Sequence, residues 1–190
     1  MLDMSEQIVT KLESLNFKQI AISKSKVDDF IHNIKTKDHA ILLFQNESIR
    51  DETVRTFLDK SKNQTYTACF VHDTSKYNCD QAITYDELIE NQTLLTTKIN
   101  EFLINVLDKT YPNDFPRIAC EDTVSFSEAG FFEEHQKLGD KLDTRIIDDS
   151  TILCCYNTDK LDDDKINTVL QSRDYIILEE PFSVYQKQHS

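Results

Sequence analysis

The chain has 190 residues and carries 34 acidic against 21 basic side chains, which gives a formal net charge of −13. This charge opposes binding to nucleic acid, because phosphates are neutralised by clusters of Lys and Arg. It opposes binding to an anionic membrane surface for the same reason. A hydrophobic content of 39% and a length suited to one α/β domain predict a folded protein. We therefore expect neither nucleic acid nor a membrane among its partners.

The N-terminus lacks the basic region and the apolar stretch of a signal peptide. No segment approaches the ~18 continuous apolar residues that a membrane helix needs. The chain has five cysteines, an odd number, and no Cys-x-x-Cys motif. Four of them lie in apolar, strand-like runs, where a free cysteine packs as a small hydrophobic residue: Cys69, Cys120, Cys154 and Cys155. These features predict a cytoplasmic protein with reduced thiols.

Residues 1–36 form a predicted lead segment that is mostly helical. Ile8 and Leu12 share one face of a first helix, and Val27 and Ile31 share one face of a second. Residues 17–22, between them, alternate apolar and polar side chains, which suits either a short edge strand or an extended link. The apolar faces need a partner, either the predicted domain at residues 37–190 or another subunit. We expect a homo-oligomer.

From His39 onward, short apolar runs alternate with longer helical patterns. The runs predict five strands, at residues 40–44, 66–71, 117–120, 152–156 and 175–178. Helical spacing of apolar residues falls at 48–60, 93–107, 127–142 and 161–170, and residues 84–87 match a capping box. This alternation predicts a three-layer α/β fold, with a mostly parallel sheet and helices on both of its faces.

The turn after the first of these strands is where a nucleotide hydrolase would hold phosphate. Its residues are Gln45, Asn46 and Glu47, with no glycine and no lysine, and Gly130 and Gly139 are the only glycines of the chain. A phosphate-binding loop needs glycines for its backbone N–H groups, a lysine for the phosphates and a Ser or Thr for magnesium. We therefore expect a domain that has lost ATP hydrolysis, with no catalytic residue and no cofactor.

Two carboxylates follow the third predicted strand. Glu121 and Asp122 stand at its carboxyl end, the edge that faces the ligand crevice in a doubly wound sheet. They could hold magnesium, which leaves a residual Mg-dependent phosphohydrolase as an open alternative, or they could form an ordinary polar strand end. A zinc site from Cys69, His72 and Cys79 is disfavoured, since Cys-x-x-His alone lacks a four-ligand pattern. We expect no metal site.

Three short segments carry motifs of a known family. The first is Asp38-His-Ala-Ile-Leu-Leu-Phe44 with the helix after it, and the second is the aromatic-acidic Phe132-Glu-Glu134. The third is Ile152-Leu-Cys-Cys-Tyr-Asn157, with Pro181 and Tyr185 near the end. Together, over residues 38–186, they resemble the methanogen/methylotroph sensory (MEDS) domain, a degenerate relative of the KaiC/RecA-like ATPases. The chain departs from that family at residues 77–95, a stretch that is short and contains no glycine.

The resemblance implies a RecA/KaiC-like sheet and a sensory or regulatory role without catalysis. In an ATPase-like strand order, the strand at 152–156 lies between those at 40–44 and 117–120. One residue of the Cys154-Cys155 pair should then approach Cys120 within the sheet. On a strand, these two adjacent cysteines should face opposite helical layers, and packing is favoured over a redox role because little positive charge surrounds them.

This strand order predicts one ligand site at the crevice above the sheet. We expect five residues to bind the ligand: His39, Gln45, Glu121, Asp122 and Asn157. The ligand would be a small-molecule signal or a regulatory protein, whose identity the residues do not specify. A purely structural interaction adaptor, assembled through the lead segment and the acidic surface, stays open as another alternative.

Overall fold

The computed structural model describes residues 4–61, 65–110 and 114–189. Its strands are β1 (Phe17–Ile22), β2 (His39–Phe44), β3 (Thr67–Val71), β4 (Gln81–Thr84), β5 (Arg117–Cys120), β6 (Thr151–Asn157), β7 (Tyr175–Glu179) and β8 (Phe182–Lys187). They form one sheet in the order β1-β8-β7-β2-β6-β5-β3-β4. Among these described strands, only β8 runs against the common direction, because it is antiparallel to both β7 and β1.

Helices cover both faces of the sheet. They are α1 (Met4–Ser14), α2 (Lys24–Asn33), α3 (Glu47–Phe57), α4 (Tyr85–Ile89), α5 (Leu95–Thr110), α6 (Val124–Glu128), α7 (Phe132–Gln136), α8 (Thr144–Asp148) and α9 (Asp163–Gln171). The apolar side chains of α2 and α3 form one core against the sheet, and those of α1 and α4–α9 form a second core on the other face. The predicted three-layer α/β fold is confirmed. None of the described helices is long and apolar enough to cross a membrane.

The five predicted strands are all present, and the predicted position of the strand at 152–156 between those at 40–44 and 117–120 is confirmed. β6 lies between β2 and β5, and Cys154 is the register partner of Cys120. Cys154 belongs to the core under α5, whereas Cys155 belongs to the core under α3, as the alternation along a strand predicts. The runs at 40–44 and 152–156 are a strong signal in the sequence because each one is apolar on both faces.

The lead segment packs onto the rest of the chain. β1 is the edge strand that the alternation of residues 17–22 allowed, and it pairs with β8 at the end of the sheet. A β-bulge between Gln19 and Ala21 shifts its register, so Phe17 enters one core and Ala21 the other. Helices α1 and α2 lie on opposite faces of this edge. The division at residue 36 stays a prediction.

The helix predicted at residues 127–142 is broken into shorter pieces. α6 ends at Glu128, α7 covers Phe132–Gln136, and a single 3₁₀ turn follows at Leu138–Asp140. Gly130 adopts a φ of 87°, which a right-handed helix cannot contain, so the chain turns there. The apolar spacing across this stretch therefore does not come from one continuous helix.

Candidate functional site

The carboxyl ends of five parallel strands meet at one edge of the sheet. Gln45 follows β2, Asn157 ends β6, and Glu121 follows β5. His72 follows β3, and Glu179 ends β7. This edge brings together four of the five predicted ligand residues, since Asp122 comes directly after Glu121. Ligand binding at these four positions stays a prediction.

His39 lies elsewhere. It is the first residue of β2, so it stands at the amino edge of the sheet, six residues before Gln45. Its side chain is only 9% exposed, and one ring nitrogen bonds to the Ile147 backbone. Burial, with a contribution from Arg173, lowers the pKa of His39 to about 4. The structure thus does not bring His39 to the predicted crevice, and it acts as a neutral core side chain.

An internal carboxylate occupies the turn between β2 and α3. The Gln45 backbone N–H donates to Glu179 Oε1 at 2.7 Å, and the Asn46 backbone N–H lies 3.2 Å from both Glu179 oxygens. In a nucleotide hydrolase, N–H groups at this strand-to-helix turn hold phosphate oxygens. Here Glu179, from the neighbouring strand β7, supplies the negative charge that such N–H groups attract.

Gln45 and Asn157 are linked through a third side chain. Gln45 Nε2 donates to Asp159 Oδ1 at 2.6 Å, and the Asp159 backbone N–H donates to Asn157 Oδ1 at 3.0 Å. Thr158 Oγ1 reaches back to the Phe44 carbonyl oxygen at 3.4 Å. These bonds fix the ends of β2 and β6 relative to each other, and they leave the Gln45 Oε1 atom available to a ligand.

Glu121 is buried and closely surrounded by donors. Its Oε1 atom accepts the His72 backbone N–H at 2.6 Å. Its Oε2 atom lies 2.8 Å from Lys76 Nζ and 2.9 Å from the Tyr77 hydroxyl oxygen. That hydroxyl also lies 2.9 Å from Asp51 Oδ1, so its single proton is shared between the two carboxylates. The Glu121 side chain is 1% exposed, so water cannot solvate its negative charge. Lys76 neutralises that charge instead.

The Glu121–Lys76 pair continues into α3. Asp51 lies 3.0 Å from Lys76 Nζ and 2.8 Å from the Arg50 guanidinium, so two carboxylates alternate with two cations. Burial alone would raise the pKa of Asp51, but hydrogen bonds from Lys76, Tyr77 and Arg50 hold it below its usual value. Burial and the Glu121 carboxylate raise the pKa of Tyr77 far above its usual range. Tyr77 therefore remains a hydrogen-bond donor.

Asp122, His72 and Ser125 form a second cluster that resembles a hydrolytic triad only in composition. Asp122 Oδ2 lies 3.0 Å from His72 Nε2, and Ser125 Oγ lies 3.2 Å from the same nitrogen. In a catalytic triad, the acid and the nucleophile contact opposite ring nitrogens, so that the proton can pass between them. Here Ser125 Oγ also lies 3.2 Å from Asp122 Oδ2, so the three groups contact one another in a triangle. The imidazole therefore does not stand between the acid and the hydroxyl, and it cannot pass a proton from one ring nitrogen to the other.

The described residues contain no group of three or more His, Cys, Asp or Glu side chains placed to hold a metal ion. The His72 ring pairs with Asp122 through Nε2 at 3.0 Å, and His72 with Cys69 and Cys79 is not among such groups. Asp122 Oδ1 is buried, and among the described residues it has no hydrogen-bond partner.

Comparison with known proteins gives little to set beside this geometry. No protein-family model matches the chain, and no curated protein matches it. A solved structure described as "The cytoplasmic domain of EssC" has a TM-score of 0.43 and 9% identity over 75% of this chain and 31% of that one. The chain therefore spans about a third of that structure's length. A likeness this distant carries no argument about function.

Several residues of the site are not evident from the sequence pattern. Glu179 could have been found, because it follows the apolar run at 175–178 and so lies at the carboxyl end of a parallel strand. Lys76 and Tyr77 lie in the connection between β3 and β4, where no periodicity predicts which way a side chain points. Arg50 lies on α3, and nothing in its spacing distinguishes it from a surface arginine.

Proposed function

We propose that the chain is a non-catalytic regulatory domain that binds a small-molecule signal or a partner protein in the cytoplasm. The single observation that carries this proposal is the contact of Glu179 with the backbone N–H groups of Gln45 and Asn46. A phosphate entering this turn would have to displace the Glu179 carboxylate from these N–H groups, and the negative charge of Glu179 would repel it. The five free cysteines support the reducing compartment.

The contacts of Glu121 favour the same function over a magnesium-dependent hydrolase. A carboxylate that binds magnesium keeps lone pairs directed at the ion. Both oxygens of Glu121 already accept donors, and the cation next to it is Lys76. The ion-pair network of Arg50, Asp51, Lys76 and Glu121 thus gives the carboxyl edge a fixed structure without a nucleotide or an ion.

Native mass spectrometry of the purified full chain tests this proposal. We expect a homo-oligomer that retains an organic molecule or a partner protein. Gln45→Ala and Asp122→Asn should each reduce the retained fraction, because both residues present unpaired oxygen atoms at the carboxyl edge. Gln19→Ala, on the edge strand β1, is the matched control and should leave that fraction unchanged. Retention that is equal in all four proteins would contradict the proposed site.

A further inference from the structure

Strand β1 is the outermost strand at one end of the sheet, and no described strand pairs with its outer side. The residues that flank it, Asn16 and Ser23, form backbone hydrogen bonds on the β8 side, at 2.9 and 3.0 Å. Bonded and open positions alternate along an antiparallel ladder, so the backbone N–H and C=O groups of Phe17 and Ile22 point away from β8. These groups can form a new ladder with another extended chain.

The outer surface of β1 also carries exposed apolar side chains. Four of its six residues are exposed, and among them Ile20 is 45% and Ile22 is 53% exposed. The strand at the opposite end of the sheet differs, because all four residues of β4 are half-buried and α4 follows it directly. Of the two ends of the sheet, the β1 end therefore offers the longer open strand and the larger apolar side chains to a partner.

The surface around β1 is basic in a strongly acidic chain. Residues 14–27 contain Lys18, Lys24 and Lys26 and no acidic residue, although the whole chain has a formal net charge of −13. Lys24 has two acidic partners, each at 2.9 Å. Lys18 and Lys26 are exposed, and neither has an ion-pair partner among the described residues. Both lysines can therefore pair with carboxylates of another molecule.

These lysines restrict which molecule can occupy the open edge. A second copy of β1 would bring two sets of lysines together along the new ladder, and like charges oppose such pairing. Nucleic acid and lipid do not offer the row of N–H and C=O groups that an open strand pairs with, and the net charge of the chain repels both. An extended peptide with acidic and apolar side chains satisfies the backbone groups, the isoleucines and the lysines together.

We propose that β1 binds an acidic, extended segment of a partner protein as an added strand of the sheet. Backbone hydrogen bonds hold the segment, its apolar side chains cover Ile20 and Ile22, and its carboxylates pair with Lys18 and Lys26. The inference goes beyond the proposed function, because β1 lies at the end of the sheet and not at its carboxyl edge. It is independent of which signal or partner the carboxyl edge binds.

Binding of a synthetic peptide to the full chain tests the inference. The probe is a fluorescein-labelled octapeptide in which Glu and Val alternate, and its binding is measured by fluorescence anisotropy. We expect saturable binding, with amide NMR shifts concentrated in residues 16–24. The same peptide with proline in place of valine cannot donate to the ladder and should not bind. Absence of binding by the first peptide, or shifts that map elsewhere, would overturn the inference.

A charge reversal separates the lysines from the fold of the strand. Lys18→Glu combined with Lys26→Glu should weaken binding of the acidic peptide about tenfold, because two attractions become repulsions. A peptide of alternating Lys and Val should show the opposite preference and bind the double variant more tightly than the unchanged protein. Lys141→Glu, at an exposed lysine before α8, is the matched control and should bind both peptides as the unchanged protein does.

Two results of this comparison would contradict the assigned partner. Equal affinities of the unchanged protein for the acidic and the basic peptide would show that the lysines do not select the partner. Binding to vesicles that contain phosphatidylserine, in competition with the acidic peptide, would assign the surface to an anionic membrane instead.

Discussion

Lys76 neutralises a carboxylate that has no contact with solvent. Glu121 Oε2 lies 2.8 Å from Lys76 Nζ, and removal of this cation would leave a buried charge with only neutral donors. We expect Lys76→Met to lower the free energy of unfolding by about 3 kcal/mol. Adding Glu121→Gln to the same protein should recover part of that loss, since the uncompensated charge is removed. Urea unfolding of the two single variants and the double variant measures this coupling.

The control for this cycle is a lysine whose ion pair is exposed. Lys165 lies 3.5 Å from Asp162 at the start of α9, and both side chains are at least a third exposed. Lys165→Met should cost less than about 1 kcal/mol, because water screens such a pair. Equal losses for the two lysine variants would contradict the view that Glu121 depends on Lys76.

His39 makes the stability of the protein depend on pH. Burial lowers its pKa to about 4 in the folded state, against about 6.5 in the unfolded chain. Neutral His39 therefore stabilises the fold fully above pH 6.5, and this contribution is lost as the pH falls toward 4, by up to about 3 kcal/mol. His39→Asn should flatten this part of the pH profile in urea unfolding, whereas His189→Asn, at an exposed histidine, should not. Parallel profiles for His39→Asn and the unchanged protein would rule out this role.

Single side chains show where prediction from the sequence ends. The sequence places four residues at the carboxyl edge of the sheet, because each follows an apolar run and parallel strands share a direction: Gln45, Glu121, Asp122 and Asn157. His39 is close to Gln45 in sequence, but the two residues lie at opposite ends of β2 and therefore at opposite edges of the sheet. The Glu179 contact depends on the adjacency of β7 and β2, which is set by packing of the whole sheet.

Helix α4 depends on its N-terminal cap. Thr84 Oγ1 accepts the Glu87 backbone N–H at 3.1 Å, as the predicted capping box requires. With only five residues, α4 has few other hydrogen bonds, so Thr84→Ala should destabilise the protein by about 1 kcal/mol. Thr10→Ala, inside α1, is the control and should be neutral or slightly stabilising, because alanine favours a helix interior. Thermal unfolding measures both variants, and equal shifts in their melting temperatures would contradict the stabilising role of the Thr84 cap.

Elements with a strong local signal were predictable, and those set by tertiary context were not. The buried runs of β2 and β6 are apolar throughout, which local composition shows directly. The strands β4 and β8 contain mixed polar and apolar residues, and neither would be stable without a neighbour in the sheet. The break after α6 depends on the φ of Gly130, which periodicity does not reveal.

The lead segment contributes to both cores of the molecule. Ile8 and Leu12 of α1 enter one core, and Val27 and Ile31 of α2 enter the other, all at most 4% exposed. Deletion of residues 1–36 would expose both cores and uncover β8, so we expect the shortened chain to aggregate or to lose its cooperative unfolding transition. Circular dichroism and size-exclusion chromatography measure this. A folded, monodisperse product would instead support a separate lead segment that serves assembly.

The central claim is that the chain neither binds nor hydrolyses ATP. Titration of the full chain with Mg-ATP tests it most directly, with binding measured by isothermal titration calorimetry and hydrolysis measured by phosphate release. Glu179 accepts the N–H groups of Gln45 and Asn46, and Lys76 pairs with Glu121. A triphosphate at this turn would therefore have to displace an internal carboxylate, and magnesium at Glu121 would have to displace Lys76. We predict no binding heat and no phosphate release. Stoichiometric ATP binding, or magnesium-dependent turnover that Asp122→Asn abolishes, would contradict this account and favour a phosphohydrolase.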